Sequence, residues 1–173
     1  MKNIIKIFIP NETSASSVGA DSLYQVISKL INDENIEIIR NGSWGAFWLE
    51  PFIEIEKDGI RKGTSYRNIN LSHLNTIEEF FLDFEKRNPF DINEIDFIKK
   101  QNRIVFSRIG HEDPLNIEYY KNSKGYQSLL TALEIGPQKT INRIKESGLN
   151  GRGGAAFPTG IKMQTVFDQD SSV

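Results

Sequence analysis

The residues of this chain that could carry out chemistry are concentrated in one glycine-rich segment, residues 148–162. Glycine has no Cβ, so a group of glycines lets a flat or phosphorylated ligand touch the main chain. Arg152 and Lys162 can balance the charge of a phosphate, and Phe157 offers a face for stacking. Glycines that only make turns in a surface loop are the alternative, but the combination with two cations and an aromatic ring favours a nucleotide-binding loop.

Two common phosphate-binding motifs do not describe this segment. A P-loop ends in Gly-Lys-Ser/Thr, whereas Gly160 is followed by isoleucine. Gly151, Gly153 and Ala156 match the letters of the Rossmann fingerprint, but that loop must follow a strand. Residues 139–147 instead predict a helix before the loop. The segment therefore predicts a mononucleotide site of another design.

Residues 146–162 resemble the FMN- and NADH-binding loop of the flavoprotein subunit of respiratory complex I and its relatives. Those relatives include the diaphorase subunits of NAD-reducing hydrogenases and the beta subunits of NAD-dependent formate dehydrogenases. Residues 40–51, 101–103 and 110–115 resemble the N-terminal domain of the formate dehydrogenase beta subunit. The resemblance spans nearly the whole chain and favours that member of the family.

The resemblance implies hydride transfer between NAD(H) and FMN, with single electrons passed to iron–sulfur clusters and no catalytic side chain, because the flavin takes the hydride. Residues 151–154 would line the flavin and the nucleotide, Phe157 would face NADH, and Lys162 would approach the FMN phosphate. Asn150 and Met163 depart from the family, which often has Arg and Trp there. The implied cofactor-binding residues are Gly151, Arg152, Gly153, Gly154, Ala155, Ala156, Phe157, Pro158, Thr159, Gly160 and Lys162.

The same resemblance implies partners and a larger protein. The partners would be a molybdenum-containing formate dehydrogenase subunit and a small iron–sulfur subunit. A [4Fe–4S] cluster is implied only for a C-terminal part of the family's flavoprotein, so we expect this sequence to be an N-terminal fragment that is inactive alone. The alternatives are a hydrogenase diaphorase or complex I flavoprotein subunit, and a cofactor-free thioredoxin-like docking module that holds partner subunits.

Composition excludes several other functions. The net charge of −2 provides no basic field for nucleic acid. No apolar run approaches the roughly 18 residues of a membrane span, and we expect a cytoplasmic protein. The sequence has no cysteine, so it offers no disulfide and no cysteine ligand for an iron–sulfur cluster. His73 and His111 have no ligand partner at suitable spacing, so no metal site is predicted.

The first half of the chain predicts a β-α-β-β-β-α order. Strands are predicted at residues 4–9 and 36–39, and an amphipathic helix between them at residues 20–33, so the two strands should be parallel. The residues at helical spacing that form its buried stripe are Leu23, Val26, Ile27, Leu30 and Ile31. Residues 52–56 and 60–66, joined by the turn signal Asp58-Gly59, predict an antiparallel hairpin. A capping box of Thr76 and Glu79 predicts a further helix, which completes the order. This order is that of a thioredoxin-like domain, assigned to residues 1–106.

Two groups of residues in this domain are interpreted as structural. Trp44, Phe47 and Trp48 are expected to be core or subunit-interface aromatics rather than a ligand platform. Glu54 and Glu56 alternate with isoleucine, which predicts a solvent-exposed face of their strand rather than an acid–base pair.

The second half predicts short helices that lead into the glycine loop. Residues 91–106 predict a helix at first, with residues 104–106 as a possible short strand. Helices follow at residues 117–121, 126–134 and 137–147. Pro137 suits the first turn of the last of these helices, and Gly148 suits the cap at its C-terminal end. The predicted fold is therefore α/β, a thioredoxin-like domain followed by the helical start of an FMN-binding flavoprotein domain, residues 107–173.

Overall fold

The computed structural model describes residues 4–169, and the structural statements below refer to these residues. Residues 1–3 and 170–173, at the outer ends of the two predicted domains, lie outside the described residues. In chain order, the strands and α-helices are β1 (Ile5–Phe8), α1 (Thr13–Ser16), α2 (Ala20–Leu30), β2 (Ile36–Ile39), β3 (Phe52–Lys57), β4 (Ile60–Ser65), α3 (Ile77–Lys86), α4 (Asp96–Lys99), α5 (Ile117–Asn122), α6 (Gln127–Ile135), α7 (Pro137–Glu146) and α8 (Thr159–Phe167). Short 3-10 turns cover Phe47–Leu49 and Ile92–Glu94.

The four strands form one mixed sheet with the order β2-β1-β3-β4. β1 and β2 are parallel, with α2 as the crossover between them, which confirms the predicted β-α-β unit. β3 is antiparallel to both β1 and β4. Asp58 and Gly59 form the β3–β4 turn with φ of 53° and 76°, values that a tight hairpin turn requires. The α/β class is confirmed, and the thioredoxin-like assignment stays a prediction.

The described chain forms two compact units, one extending to Ile117 and the other beginning at Glu118. In the first unit, α2 and α3 share an apolar core with the sheet. Leu23 and Ile27 of α2 are buried, and Val26 and Leu30 pack against the same core, as the helical spacing predicted. The buried core residues are Ile7, Ile9, Ala15, Ala20, Leu23, Ile27, Ile53, Tyr66, Leu71, Ile77, Phe80 and Phe84.

Helix α3 begins at the predicted cap. The Thr76 hydroxyl accepts a hydrogen bond from the Glu79 backbone N–H at 3.2 Å. The Glu79 carboxylate accepts one from the Asn75 backbone N–H at 2.7 Å. The two bonds satisfy N–H groups that have no partner inside the helix.

The prediction for residues 91–106 is wrong in part. The α-helix is limited to α4, and residues 104–106 lie in turns rather than in a strand. A strand needs a hydrogen-bonded neighbour, and the free side of β4 is instead bridged by Phe90 at Gly63. Ile104 and Val105 are 78% and 84% exposed, so neither packs in the interior of the first unit.

The second unit is helical. α5, α6 and α7 agree with the predicted segments to within one or two residues. Pro137 occupies the first turn of α7, and Gly148 follows its end with φ of 66°, both as the residue types indicated. Helix α8 was not predicted. The assignment of residues 107–173 to a flavoprotein domain stays a prediction.

Candidate cofactor-binding loop

The glycine-rich loop connects α7 to α8 and is closed at its base by backbone hydrogen bonds. The Gly151 N–H donates to the Phe157 carbonyl at 2.8 Å, and the Thr159 N–H donates to the Leu149 carbonyl at 2.9 Å. At the tip, the Ala156 N–H donates to the Gly153 carbonyl at 3.1 Å. The loop therefore has a defined conformation that its own main chain maintains.

The glycines of this loop have different physical reasons to be glycine. A Cβ on Gly160 would lie 2.8 Å from the Lys145 backbone nitrogen, so Gly160 allows α8 to approach α7 closely. A Cβ on Gly151 would make only ordinary contacts, the nearest at 3.4 Å. Gly153 and Gly154 have no positive φ, and a Cβ on either would meet nothing within 4 Å. Neither backbone strain nor internal packing explains these last two glycines.

The tip of the loop presents unused donors. The backbone N–H groups of residues 152–155 donate to no carbonyl among the described residues. Arg152 and Lys162 are exposed, and neither side chain forms a hydrogen bond or ion pair within residues 4–169. Phe157 is 50% exposed. Donors, cations and an aromatic face are thus available in one short segment for an anionic, planar ligand.

The predicted binding residues differ in exposure. Gly160 is buried, and Gly151 and Thr159 are half-buried. The exposed ones are Arg152, Gly153, Gly154, Ala155, Ala156, Phe157, Pro158 and Lys162. Gly160 has a packing role in the structure, and its predicted cofactor contact stays a prediction together with the others.

The start of α8 is a feature that the sequence interpretation missed. Its N-cap, Pro158, provides no side-chain cap for the first N–H groups. The positive end of a helix dipole attracts anions, and Lys162 adds a charge in the first turn. The sequence offered no clear signal for this helix, because Ile161 and Val166 are five residues apart and do not follow a helical repeat. A cavity of about 290 Å³ lies at this helix start and the loop base, lined partly by Lys145.

A polar cluster lies in the first unit around Glu54. The prediction that Glu54 is solvent-exposed is wrong, because its side chain is buried. Its carboxylate accepts from Trp44 Nε1 at 2.8 Å and from Arg61 Nη2 and Nε at 2.6 and 3.0 Å. Only 2% of Glu54 is exposed. Burial raises the pKa of Glu54, and the charge of Arg61 offsets part of that rise.

Arg61 extends this cluster to a distant segment. Its guanidinium donates to the carbonyls of Gly110 and His111 at 2.7 and 2.8 Å, and it lies 3.5 Å from the ring centroid of Phe8. Gly110 has φ of 79°, and a Cβ there would lie 2.3 Å from the Trp44 indole. Burial, followed by the charges of Arg61 and a second arginine, lowers the pKa of His111. The segment containing Gly110 therefore covers Glu54.

The aromatic residues Trp44, Phe47 and Trp48 differ in burial. Trp44 is buried, in agreement with a core role. Phe47 and Trp48 are 60% and 51% exposed. Trp48 packs edge-on against Phe97, with ring centroids 4.9 Å apart. Trp44 thus has the predicted core role, and the predicted subunit-interface role stays a prediction for Phe47 and Trp48.

Metal-binding clusters and membrane spans are both missing from the described part of the chain. No group of three or more histidine, aspartate or glutamate side chains within residues 4–169 is arranged to hold a metal ion. None of the helices in this range combines the length and apolarity needed to cross a bilayer.

Parts of the chain are similar to parts of known oxidoreductase subunits. The NADP-reducing hydrogenase subunit HndC of Solidesulfovibrio fructosivorans is 47% identical over 64 residues, 37% of this chain and 13% of the relative. The F subunit of NADH-quinone oxidoreductase from Streptomyces coelicolor is 44% identical over 67 residues, 38% of this chain and 15% of the relative. The corresponding protein of Buchnera aphidicola from Acyrthosiphon pisum is 55% identical over 56 residues, 32% of this chain and 13% of the relative.

The chain thus spans 13–15% of the length of these relatives. No family model matches it. The relatives support the coarser prediction, a relationship with oxidoreductase subunits that use NADH or NADP. The finer assignment to formate dehydrogenase stays a prediction.

Proposed function

We propose that this chain is part of an NADH dehydrogenase-type flavoprotein subunit, and that residues 151–162 contribute to binding FMN and NAD(H). The observation that carries the proposal is the open space at Gly153 and Gly154, which have no conformational or packing reason to be glycine. Close approach of a flat ring to the main chain is a reason that fits both. The similarity to NADH- and NADP-linked oxidoreductase subunits supports the same conclusion.

The described residues fit the chemical demands of FMN. Among the described residues, Arg152 and Lys162 form no hydrogen bond or ion pair, so their charges can compensate the phosphate. The N–H groups of residues 152–155 can donate to phosphate or flavin oxygens. Phe157 can stack on an aromatic ring through its exposed half. The closed base of the loop reduces the ordering that binding must impose.

A bound FMN would supply the acceptor for the hydride of NADH and the means to pass on single electrons. The chain's own residues would hold and orient it: the cations at the phosphate, the glycines against the ring and the aromatic side chain beside the nucleotide. None of them needs to act as an acid or base. The loop is exposed, and a cofactor site normally buries most of its ligand, so residues 1–173 alone should bind FMN weakly.

The decisive measurement is flavin retention by the full-length natural protein after gel filtration. We expect FMN absorbance in the wild type and its loss in Gly153→Val, because the added side chain fills the space of the ring. Gly42→Val is the matched control, since Gly42 also has open space and no positive φ but lies in the first unit. Full flavin retention by Gly153→Val would place the cofactor elsewhere.

For the whole protein we propose a cytoplasmic formate dehydrogenase beta subunit, with molybdenum-containing and small iron–sulfur partners and a [4Fe–4S] cluster outside this sequence. Residues 40–51 and 110–115 support this member of the family. A hydrogenase diaphorase is the second candidate, favoured by the HndC similarity. Assays of the purified native complex separate them, because formate-dependent reduction of NAD supports the first candidate and hydrogen-dependent reduction supports the second.

We also propose that residues 1–106 form a thioredoxin-like domain. The parallel β1–β2 pair, the antiparallel β3–β4 hairpin and the following helix α3 support it. Without cysteine, this domain would hold partners rather than a cluster. If the full-length protein binds neither flavin nor NADH, the cofactor-free docking module becomes the better proposal.

A further inference from the structure

We propose that Gln164 is a positioning residue for the glycine-rich loop, because its side chain connects α8 to α7 through hydrogen bonds. The inference rests on the proposed function, since it takes the loop to bind FMN. Gln164 lies in the second turn of α8, two residues after Lys162, and is half-buried.

The side chain of Gln164 connects three residues. Its Oε1 accepts hydrogen bonds from Lys145 Nζ at 2.8 Å and from Gln138 Nε2 at 2.9 Å. Its Nε2 donates to Asp168 Oδ1 at 2.7 Å. Gln138 and Lys145 are seven residues apart, two turns along one face of α7. One carbonyl oxygen therefore joins two turns of α7 to α8 and resists rotation of one helix against the other.

Gly160 provides the close contact that makes this connection effective. It lies one turn before Gln164 on the same face of α8. A Cβ on Gly160 would lie 2.9 Å from the Lys145 Cα, so the two helices meet almost at their backbones. A shift of α8 would therefore move Thr159, whose N–H closes the loop on the Leu149 carbonyl.

If Gln164 positions α8, its loss should weaken binding of the FMN phosphate and leave binding of the flavin ring unchanged. Lys162 is carried by the first turn of α8, so rotation of the helix would move its charge away from the phosphate of FMN. Riboflavin has the same ring and no phosphate. Partly exposed polar bridges contribute little to folding stability. A positioning role thus lowers the preference for FMN over riboflavin, whereas a purely structural role lowers both affinities equally.

The first experiment measures the affinities of the full-length natural protein for FMN and riboflavin by fluorescence titration. In Gln164→Leu we expect the FMN:riboflavin affinity ratio to fall about tenfold, the usual size of one charge-assisted contact. Gln169→Leu, just beyond the end of α8, is the matched control, since Gln169 is exposed and its side chain bonds only to the Thr165 carbonyl within residues 4–169. An unchanged ratio in Gln164→Leu would overturn the proposal.

A double-mutant cycle tests whether the effect passes through Lys162. Lys162→Ala should lower the ratio by itself, and adding Gln164→Leu should then change it no further. Additive losses would overturn a role through Lys162. If Gln164→Leu does not fold, Lys145→Met decides, because it keeps the aliphatic stem beside Gly160 and removes one donor to Gln164. Lys145→Met should also lower the FMN:riboflavin affinity ratio.

Hydrogen exchange separates this inference from the proposed function. In residues 1–173, Gln164→Leu should speed amide exchange in residues 148–162 relative to Gln169→Leu, whether or not a flavin is present. Unchanged exchange there would overturn the positioning role. A wild-type protein that binds no flavin would instead overturn the proposed function, and the exchange result would then decide the role of Gln164.

Discussion

The cluster around Glu54 and the loop around Gly153 use the same kinds of residue for opposite purposes. Each combines arginine, an aromatic side chain and a glycine. In the first unit, Arg61 donates to Glu54, Gly110 and His111, so its hydrogen-bonding capacity is used inside the fold. In the loop, Arg152 and the backbone N–H groups beside it have no acceptor within residues 4–169.

The glycines show the same difference. Gly110 is required because its φ is positive and the Trp44 indole occupies the space of a side chain. Gly153 faces open space in an ordinary backbone conformation. A polar group that is satisfied within the chain contributes to folding, whereas one that remains available can contribute to binding. Substitutions should therefore change stability at the first cluster and ligand affinity at the second.

The largest effect on stability is expected from breaking the buried ion pair between Glu54 and Arg61. Glu54→Ala should lower the free energy of unfolding by about 3–5 kcal/mol, because it leaves the Arg61 charge without its partner. Both tryptophans, Trp44 and Trp48, lie in the first unit, so urea unfolding followed by tryptophan fluorescence reports on that unit.

The control for this change is Glu56→Ala, on the same strand. Glu56 is partly exposed and 3.9 Å from Lys6, so its loss should cost at most about 1 kcal/mol. Equal effects of the two substitutions would contradict the assigned difference in burial.

An apolar substitution tests the core of the same unit. Leu23→Ala on α2 should destabilise it by about 2–5 kcal/mol, since Leu23 is 5% exposed and packs in the main core. Leu82→Ala on α3 is the control, because Leu82 is 61% exposed. Chemical denaturation compares them, and a change below about 0.5 kcal/mol for Leu23→Ala would show that this face of α2 is not core.

Removing a cation of the glycine-rich loop should lower ligand affinity and leave stability nearly unchanged. Arg152→Ala should weaken FMN binding to the full-length natural protein about tenfold while changing stability by less than about 0.5 kcal/mol. Lys139→Ala, an exposed lysine of α7, controls for loss of charge alone. Flavin titration and thermal unfolding measure the two quantities, and a loss of stability without a loss of affinity would make Arg152 a structural residue like Arg61.

The smallest effect concerns the pH dependence of stability at Glu50. Glu50 is buried, accepts from the Ser43 hydroxyl and the Phe52 N–H, and has its pKa raised mainly by burial. A raised folded-state pKa means that the folded state binds the proton more tightly, so this contribution to stability is present below the ordinary glutamate pKa and is lost as pH rises through the raised value.

Glu50→Gln, which cannot ionise, should therefore gain stability relative to the wild type as pH increases above about 4.5, the ordinary value. Urea unfolding of both proteins between mildly acidic and neutral pH measures the difference. A difference independent of pH would show that Glu50 has no raised pKa in the folded protein.

Much of the local structure could be predicted from residue patterns. The β-α-β unit, the Asp58-Gly59 turn and the cap at Thr76 depend on residues close in sequence, and all three were predicted. Helix α8 was missed because its apolar spacing is irregular and a glycine, Gly160, lies in its first turn.

The candidate site was recognisable because its chemistry is local. Arg152, Phe157 and Lys162 lie within eleven residues of one another, so their combination is visible without a fold. The position of Glu54 could not be recognised in this way. Alternation with isoleucine indicated exposure, and the residues that bury it come from segments before and after its strand.

The sequence by itself therefore determined the four strands and helices α2, α3, α5, α6 and α7. It also determined the pairing of the first two strands, the absence of cysteine ligands and the chemical content of the loop, because these follow from residue type and short-range spacing. Only the tertiary structure decided which polar groups are used inside the fold. Asn41 bonds the Gly110 carbonyl across 69 positions, and Gln164 reaches Gln138 across 26. Contacts of that kind depend on which distant segments meet, and no local pattern records them.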